Sequence, residues 1–230
     1  MPPPRLAIVI PTLNERAHIG DLLADLGMLR SPHEIIVADG GSSDDTIEMA
    51  EGRGARVIVT PPGRGGQLRA GADACAAPLL AFLHADVRLP PASVAALDCL
   101  AHSDLPSAWA FRLRIDDARM KFRVVEWGAN WRSSHFALPY GDQGLVMSRT
   151  MYDAVGGFAD VPLMEDVIMA RALKAHGGVR LLDADILVSA RRWQRDGVLR
   201  RSARNVVILA RFLAGTSPAR LASAYPPATP

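Results

Sequence analysis

Four short apolar runs, each stopping at polar residues, constrain this chain more than any other feature. Residues 6–10, 34–38, 57–59 and 79–83 are the runs, and helical stretches at about 17–29, 46–52 and 67–75 lie between them. A continuous apolar run of this length suits a strand buried on both faces, and its alternation with helices predicts βαβ units. We therefore expect a parallel, right-handed α/β half over residues 5–90. After residue 90 the rhythm changes to a helix near 92–102, a strand at 108–115 and a Trp-rich helical stretch over 120–134. A strand near 144–147, a helix over 167–176 and a strand over 186–189 follow. The expected class is α/β, with a mostly parallel central sheet flanked by helices, a mixed second half and a C-terminal amphipathic helix.

At 230 residues and 49% apolar, the chain can bury a full core. We read one domain over 1–190, with halves at 5–90 and 91–190, and a basic helical extension over 191–230. Cys75 and Cys99 are too few for a disulfide framework and lack metal-ligand spacing, so both are read as packing residues of a cytosolic protein. The start "MPPPRLAIVIP" is too short in its apolar run for a signal peptide, and no stretch reaches the length of a membrane span. The terminal "YPPATP" reads as frayed.

The net charge of +2 hides an asymmetry: residues 191–230 carry eight Arg against Asp196 alone. Within "VLRRSARNVVILARFLAG", Arg200, Arg204 and Arg211 fall within about 40° on a helical wheel, opposite Val198, Val206, Leu209 and Leu213. Such a helix either buries its apolar face as core or touches a membrane or a phosphate-bearing partner through residues 198–213. Nucleic acid is disfavoured, because no aromatics interleave with the arginines.

Each apolar run delivers chemistry-bearing residues to one sheet edge. "PTLNE" follows the first, where Pro11 halts the ladder and Thr12, Asn14 and Glu15 are polar; a helix N-cap with a first-turn acid explains the last two equally well. "ADGGSSDDT" follows the second, with Asp39 before the permissive Gly40 and Gly41 and then Ser42, in a position where nucleotide folds hold a base or ribose. No G-x-G-x-x-G fingerprint and no Walker G-K-[ST] is present, which disfavours dinucleotide and P-loop chemistry. "PPGRGGQLRAG" follows the third; Arg64 and Gln67 beside a helix start make either an anion cradle or a surface turn. "LHADVRLP" follows the fourth with His84, Ala85 and Asp86. Asp86 could cap the next helix, but three preceding strand ends carrying ligand-type residues favour a functional carboxylate, which a divalent cation would bridge to a diphosphate.

The second half adds Glu165 and Asp166 at a helix start, as dipole partners or a general base. Asp142 and Gln143 stand in the glycine-flanked turn "YGDQG", and Arg191 and Arg192 follow the last strand, where they bind phosphate or stay solvated.

In this order, "PTLNE", "DGGSSDDT", "GRGGQLRAG", "LHADVRLP", "YGDQG", "GGF", "MEDV" and "SARRWQRDGVLR" resemble the family 2 glycosyltransferases of the GT-A fold over nearly the whole chain. The set looks most like a bacterial subgroup associated with radical-SAM genes and arsenosugar biosynthesis. The resemblance implies a nucleotide-diphosphate-sugar donor, Mg²⁺ or Mn²⁺, and transfer to an acceptor of unknown identity with inversion. It implies that Pro11, Thr12, Asn14, Glu15, Gly40 and Ser42 line the nucleotide pocket and that Asp39 contacts the base. Asp86 becomes the metal-reaching Asp of D-x-D, with His84 in place of the first Asp. Asp166 becomes the base with Glu165 beside it, and Asp142 and Gln143 fall on the acceptor side. The arginines Arg64, Arg191 and Arg192 would hold the diphosphate. A cytoplasmic enzyme at the inner face of a membrane is the expected setting.

Two rivals remain at this stage. A sugar-phosphate nucleotidylyltransferase would need a glycine-rich, basic loop straight after the first strand, which "PTLNE" is not. A nucleotide-sugar-binding module without chemistry is supported only by His84.

Overall fold

The computed structural model describes residues 3–224; Met1, Pro2 and residues 225–230, including the tail read as frayed, lie outside the described residues. Strands β1 (Leu6–Thr12), β2 (His33–Asp39), β3 (Arg56–Val59) and β4 (Leu79–Phe82) pair in parallel, in the order β3-β2-β1-β4. Helices α1 (Arg16–Leu26), α2 (Thr46–Glu51) and α3 (Arg64–Asp73) connect them. The period of two along a strand explains why β1 is apolar throughout. Leu6, Ile8 and Ile10 pack in one layer with Ile19, Leu22 and Leu26 of α1, while Ala7 and Val9 pack in the other with Leu68 and Ala72 of α3. A Cβ on Gly71 would stand 2.3 Å from Val9 Cγ1, so α3 lies on β1 at a distance only glycine allows.

The sheet continues without a break into the second half, in the order β4-β7-β6-β8-β5. These strands are β5 (Val87–Arg88), β6 (Ala108–Ile115), β7 (Leu145–Ser148) and β8 (Val179–Val188). Strand β7 is antiparallel to both β4 and β6, whereas β6 and β8 are parallel, with a register break between Ala110 and Arg112. The remaining helices are α4 (Pro91–Leu100), α5 (Met120–Phe136), α6 (Arg149–Ala154), α7 (Glu165–Leu173), α8 (Arg191–Asp196), α9 (Val198–Leu213) and α10 (Pro218–Ala224).

Several expectations are corrected. Pro11 does not halt β1 on the β2 side, where pairing runs on to Thr12↔Asp39. Its missing N–H faces the other edge, like the Val9 carbonyl two residues earlier, and there Leu83 N to Val9 O is the final bond as β4 departs. Asp86 is not the cap of α4, because Pro90 holds that position and β5 intervenes. Strand β8 is far longer than the expected four residues, and β5 and α6 were not anticipated. Cys99 is exposed and is no packing residue; Cys75 is half-buried. Helix α9 uses Ile208, with Leu209 and Phe212 partly buried, as its core face. Val206 and Leu213, expected on that face, stand 64% and 55% exposed. Among the described residues no helix is long and apolar enough to cross a membrane.

Candidate functional site

The carboxyl ends of β1 and β2 are laced into one platform. Asp39, wholly buried, accepts from Thr12 Oγ1 at 2.8 Å, from the Gly41 and Ser42 amides at 2.9 and 2.7 Å, and from Ser42 Oγ at 2.6 Å. These four donors fill the acceptor positions of a carboxylate, so as placed Asp39 holds its own loop. Asn14, with a left-handed φ of 56°, reaches across: its amide donates to Ser42 Oγ, and its Oδ1 accepts from the Ser43 amide, both at 2.8 Å. Asn14 is therefore a bridge and not a cap. Glu15 is the N-cap of α1, and its amide donates to Thr46 Oγ1 at 2.9 Å. Gln67, expected at the donor, is buried beneath the platform. Its Nε2 donates to the Thr12 and Ala38 carbonyls at 2.8 and 2.7 Å, using both amide hydrogens to join the two strand ends. Gly40 gives it room, since a Cβ there would lie 3.2 Å from that nitrogen.

Beyond β4, the chain turns through His84, the buried Ala85 and Asp86. Asp86 lines an open cleft of about 390 Å³ with Arg88, Ser189 and Arg191, and with His18 and Asp21 from α1. The ladder that makes this possible is short: Val87 and Arg88 of β5 pair with Val188 and Leu187 of β8. Asp86 and Arg191, distant in sequence, thus line one cleft; His18 and Asp21, which join them, give no sequence signal because they lie within a plain amphipathic helix. The side chain of Arg192 lies outside the described residues.

A smaller cavity adjoins, lined by Arg64, His84, Tyr140, Gly141, Glu165 and Asp166. Its floor comes from the first turn of α7, entered through Met164 at φ 71°, a left-handed conformation costing on the order of 1 kcal/mol or more in a non-glycine residue. That turn sends Glu165 inward, 3% exposed, where its Oε1 accepts from Arg64 Nη1 at 3.2 Å. Burial raises the Glu165 pKa, the Asp166 charge adds to this, and Arg64 opposes it. Desolvation works against the Arg64 charge, yet Glu165, Asp166 and Asp86 together hold its pKa above the ordinary value. Asp166 is anchored at both oxygens, Oδ2 by the Gly141 amide at 2.9 Å and Oδ1 by the Val167 amide at 2.7 Å. A Cβ on Gly141 would stand 2.6 Å from His84 Nε2 and 3.7 Å from Asp166 Oδ2, so the absent side chain is what lets imidazole and carboxylate gather here.

The Gly141–Gln143 turn completes the edge. Burial pushes the Asp142 pKa up to about 6; Arg132 opposes the shift, and the Asp166 and Asp86 charges add to it. Gln143, expected to face an acceptor, is wholly buried. Its Oε1 accepts from Ser133 Oγ at 2.7 Å and its Nε2 donates to the Phe111 carbonyl at 3.1 Å, which makes it a brace of the turn. Arg132, whose guanidinium lies 3.6 Å from the Tyr140 ring centre, belongs to the site but stood in a helix legible only as Trp-rich.

Among the described residues no group of three or more His, Cys, Asp or Glu side chains could enclose a metal ion. Asp86 beside an open, arginine-lined cleft fits another arrangement, a divalent cation bound through one carboxylate together with substrate phosphates.

The solved structure of mannosyltransferase PcManGT from Pyrobaculum calidifontis, in complex with GDP-Man and Mn²⁺, superposes with a TM-score of 0.69 at 17% identity, covering 94% of this chain and 66% of that one. The fold is thus that of the GT-A glycosyltransferases. An uncharacterised glycosyltransferase of Mycobacterium tuberculosis is 35% identical over 82 residues, 35% of this chain and 36% of the relative. A dolichyl-phosphate hexose transferase of Haloferax volcanii is 42% identical over 57 residues, 25% of each chain. The chain thus matches about a third of the mycobacterial relative's length and a quarter of the haloarchaeal one's. The profile of Glycosyl transferase family 2 matches residues 7–143, more than half of the chain and every strand end of the platform, so the chain belongs to Glycosyl transferase family 2.

Proposed function

We propose that the protein transfers a sugar from a nucleotide-diphosphate donor to an acceptor nucleophile, with inversion at the anomeric carbon. The observation that supports this best is the meeting of two opposed functions at one sheet edge. Asp86 and Arg191 share the cleft suited to a diphosphate, and Asp166 stands in the adjoining cavity with its orientation fixed by two backbone amides.

In this reading the nucleoside rests on the Thr12, Asn14 and Ser42 platform. An Asp39 contact with the base would exchange one of its four loop donors for a base N–H. The acceptor oxygen attacks the anomeric carbon from the face opposite the diphosphate. Its proton passes to the Asp166 carboxylate, and the electrons of the breaking C–O bond stay with the diphosphate oxygen, beside Arg64 and Arg191. Asp86 would hold Mg²⁺ or Mn²⁺, which when bound neutralises charge on the departing diphosphate. Glu165 fixes Arg64 in the cavity, and Asp142 faces the acceptor side.

The likeness to the radical-SAM-associated, arsenosugar-type subgroup rests on the ordered motifs alone, and no residue of the cavity demands an arsenical acceptor. The sparse cysteines fit a cytoplasmic setting. Arg200 and Arg211 on the outer face of α9 fit a peripheral membrane contact through residues 198–213.

The test is Asp166→Asn, with donor binding followed by calorimetry in Mn²⁺ and in EDTA, and with the product anomer read by NMR. The expected result is near-normal donor binding with turnover reduced roughly a hundred- to ten-thousand-fold, and an inverted anomer from the parent protein. Normal turnover would overturn the assignment of the base, and retention of configuration would overturn the single displacement.

A further inference from the structure

Helix α5 turns an apolar face to solvent. Met120, Val124, Trp127 and Trp131 are 75%, 64%, 68% and 44% exposed. At 100° per residue they fall within about 60° of one another, opposite the buried Phe122 and Ser133. The aromatics are not scattered: Trp127 stacks on Trp131 at 6.4 Å, and Trp131 stacks on His135 at 4.9 Å and meets Phe136 edge-on at 5.4 Å. Ordinary surfaces show single apolar side chains; a row of this kind, with two tryptophans, marks a contact surface.

We propose that this face of α5 docks on an anionic membrane, with Trp127 and Trp131 at the headgroup level. Tryptophan pairs an apolar ring with a polar N–H, which suits it to that boundary. The charge around the row points the same way. Lys121 flanks it, while Arg119 is balanced by Asp117 and Arg123 by Glu126. Helix α9, which touches α5, has four arginines and no acid. A second copy of the chain fits less well. The 4-3-4 spacing of the row would suit a helix pair, but Lys121 flanks it, so two such faces would set like charges together. The opposite face of α5 carries Arg132 and Ser133, which hold Gln143 and with it the Gly141–Gln143 turn. Docking through the row would leave the acceptor side of the cavity on the far side of α5, one helix diameter, roughly 10 Å, from the lipid surface. The inference extends the contact proposed for residues 198–213 to a second helix, and it does not depend on the chemistry proposed for the cavity.

The experiment is flotation of the full chain with phosphatidylglycerol and with phosphatidylcholine vesicles, together with tryptophan fluorescence and quenching by brominated lipid. Trp109 and Trp193 are more enclosed and supply the unquenched background. Binding to phosphatidylglycerol with a blue shift and quenching, weakened about tenfold or more in Trp127→Ser/Trp131→Ser and less in Lys121→Ala, is the expected result. Arg200→Glu/Arg211→Glu separates the α9 contact, and a double tryptophan variant that binds as the parent does would overturn the role of α5. Failure of the folded parent to bind either vesicle would overturn it too, as would a dimer in sedimentation equilibrium that Val124→Asp dissolves. None of these readouts requires turnover, so failure of the transferase reading is seen separately.

Discussion

Arg64 Nη1 lies 3.2 Å from Oε1 of Glu165, joining the first turns of α3 and α7 across the cavity. The Arg64 side chain is 45% exposed and that of Glu165 only 4%, so the pair is worth less than a fully buried one but more than a surface one. Arg64→Met is expected to destabilise the protein by about 1–2 kcal/mol at pH 7. Glu165, already raised by burial and by Asp166, would then rise further. Below the ordinary glutamate pKa it is protonated in both folded and unfolded chains, so the deficit should shrink near pH 4. Urea unfolding at the two pH values decides this, and an equal deficit at both would count against the ion pair as its source.

Gly141 has an ordinary backbone conformation, so its replacement acts by contact alone. A methyl there would meet His84 Nε2 at 2.6 Å and Cε1 at 3.0 Å. Gly141→Ala is expected to lower turnover about tenfold or more while moving stability by less than about 1 kcal/mol. Adding His84→Ala opens the space again, and a double-mutant cycle should show strong coupling. Additive effects would mean that the imidazole is not what the methyl displaces.

Asp142 carries a testable pH dependence. Its folded pKa is raised to about 6, above the unfolded value, so between about pH 4 and 6 the folded chain binds more protons than the unfolded one. Stability contributed by this group therefore falls as pH rises through that window. Asp142→Asn should remove the fall and stabilise the protein by about 1–3 kcal/mol at pH 7. Thermal unfolding of both proteins in EDTA between pH 4 and 7.5 is the measurement; parallel curves would refute the shift.

Gln67→Leu keeps volume but leaves the Thr12 and Ala38 carbonyls without their shared donor. A loss of about 2–4 kcal/mol is expected, with donor affinity reduced because the platform loses its brace. Denaturation and donor titration together check this, and an unchanged midpoint would show that other donors replace the amide.

The parallel half was legible because buried strands and their helices leave a local pattern, and β1 to β4 carry it from Leu6 to Phe82. The second half was less so. Two-residue β5 has no periodicity to read, and the full length of β8 is masked because Arg180 and Asp183 alternate with apolar residues beside a register break. At the site, Asp86, Arg191, Glu165 and Asp166 were legible as types at strand and helix ends. Gln67 and Gln143 were misread as ligands because a polar side chain beside a motif looks the same whether it faces a pocket or a carbonyl. Arg132, His18 and Asp21 gave no signal, since only the tertiary fold turns them to the edge.

The β5–β8 ladder also bears on the order in which the protein can be made. Val87 pairs with Val188, roughly a hundred residues later. A nascent chain with its first four strands complete has the platform but cannot close the wall that carries Arg191. The cleft proposed for the diphosphate is thus a late product of synthesis, formed by a closure of high contact order. On the proposed reading, an amino-terminal half released alone would offer the nucleoside a seat and the diphosphate none.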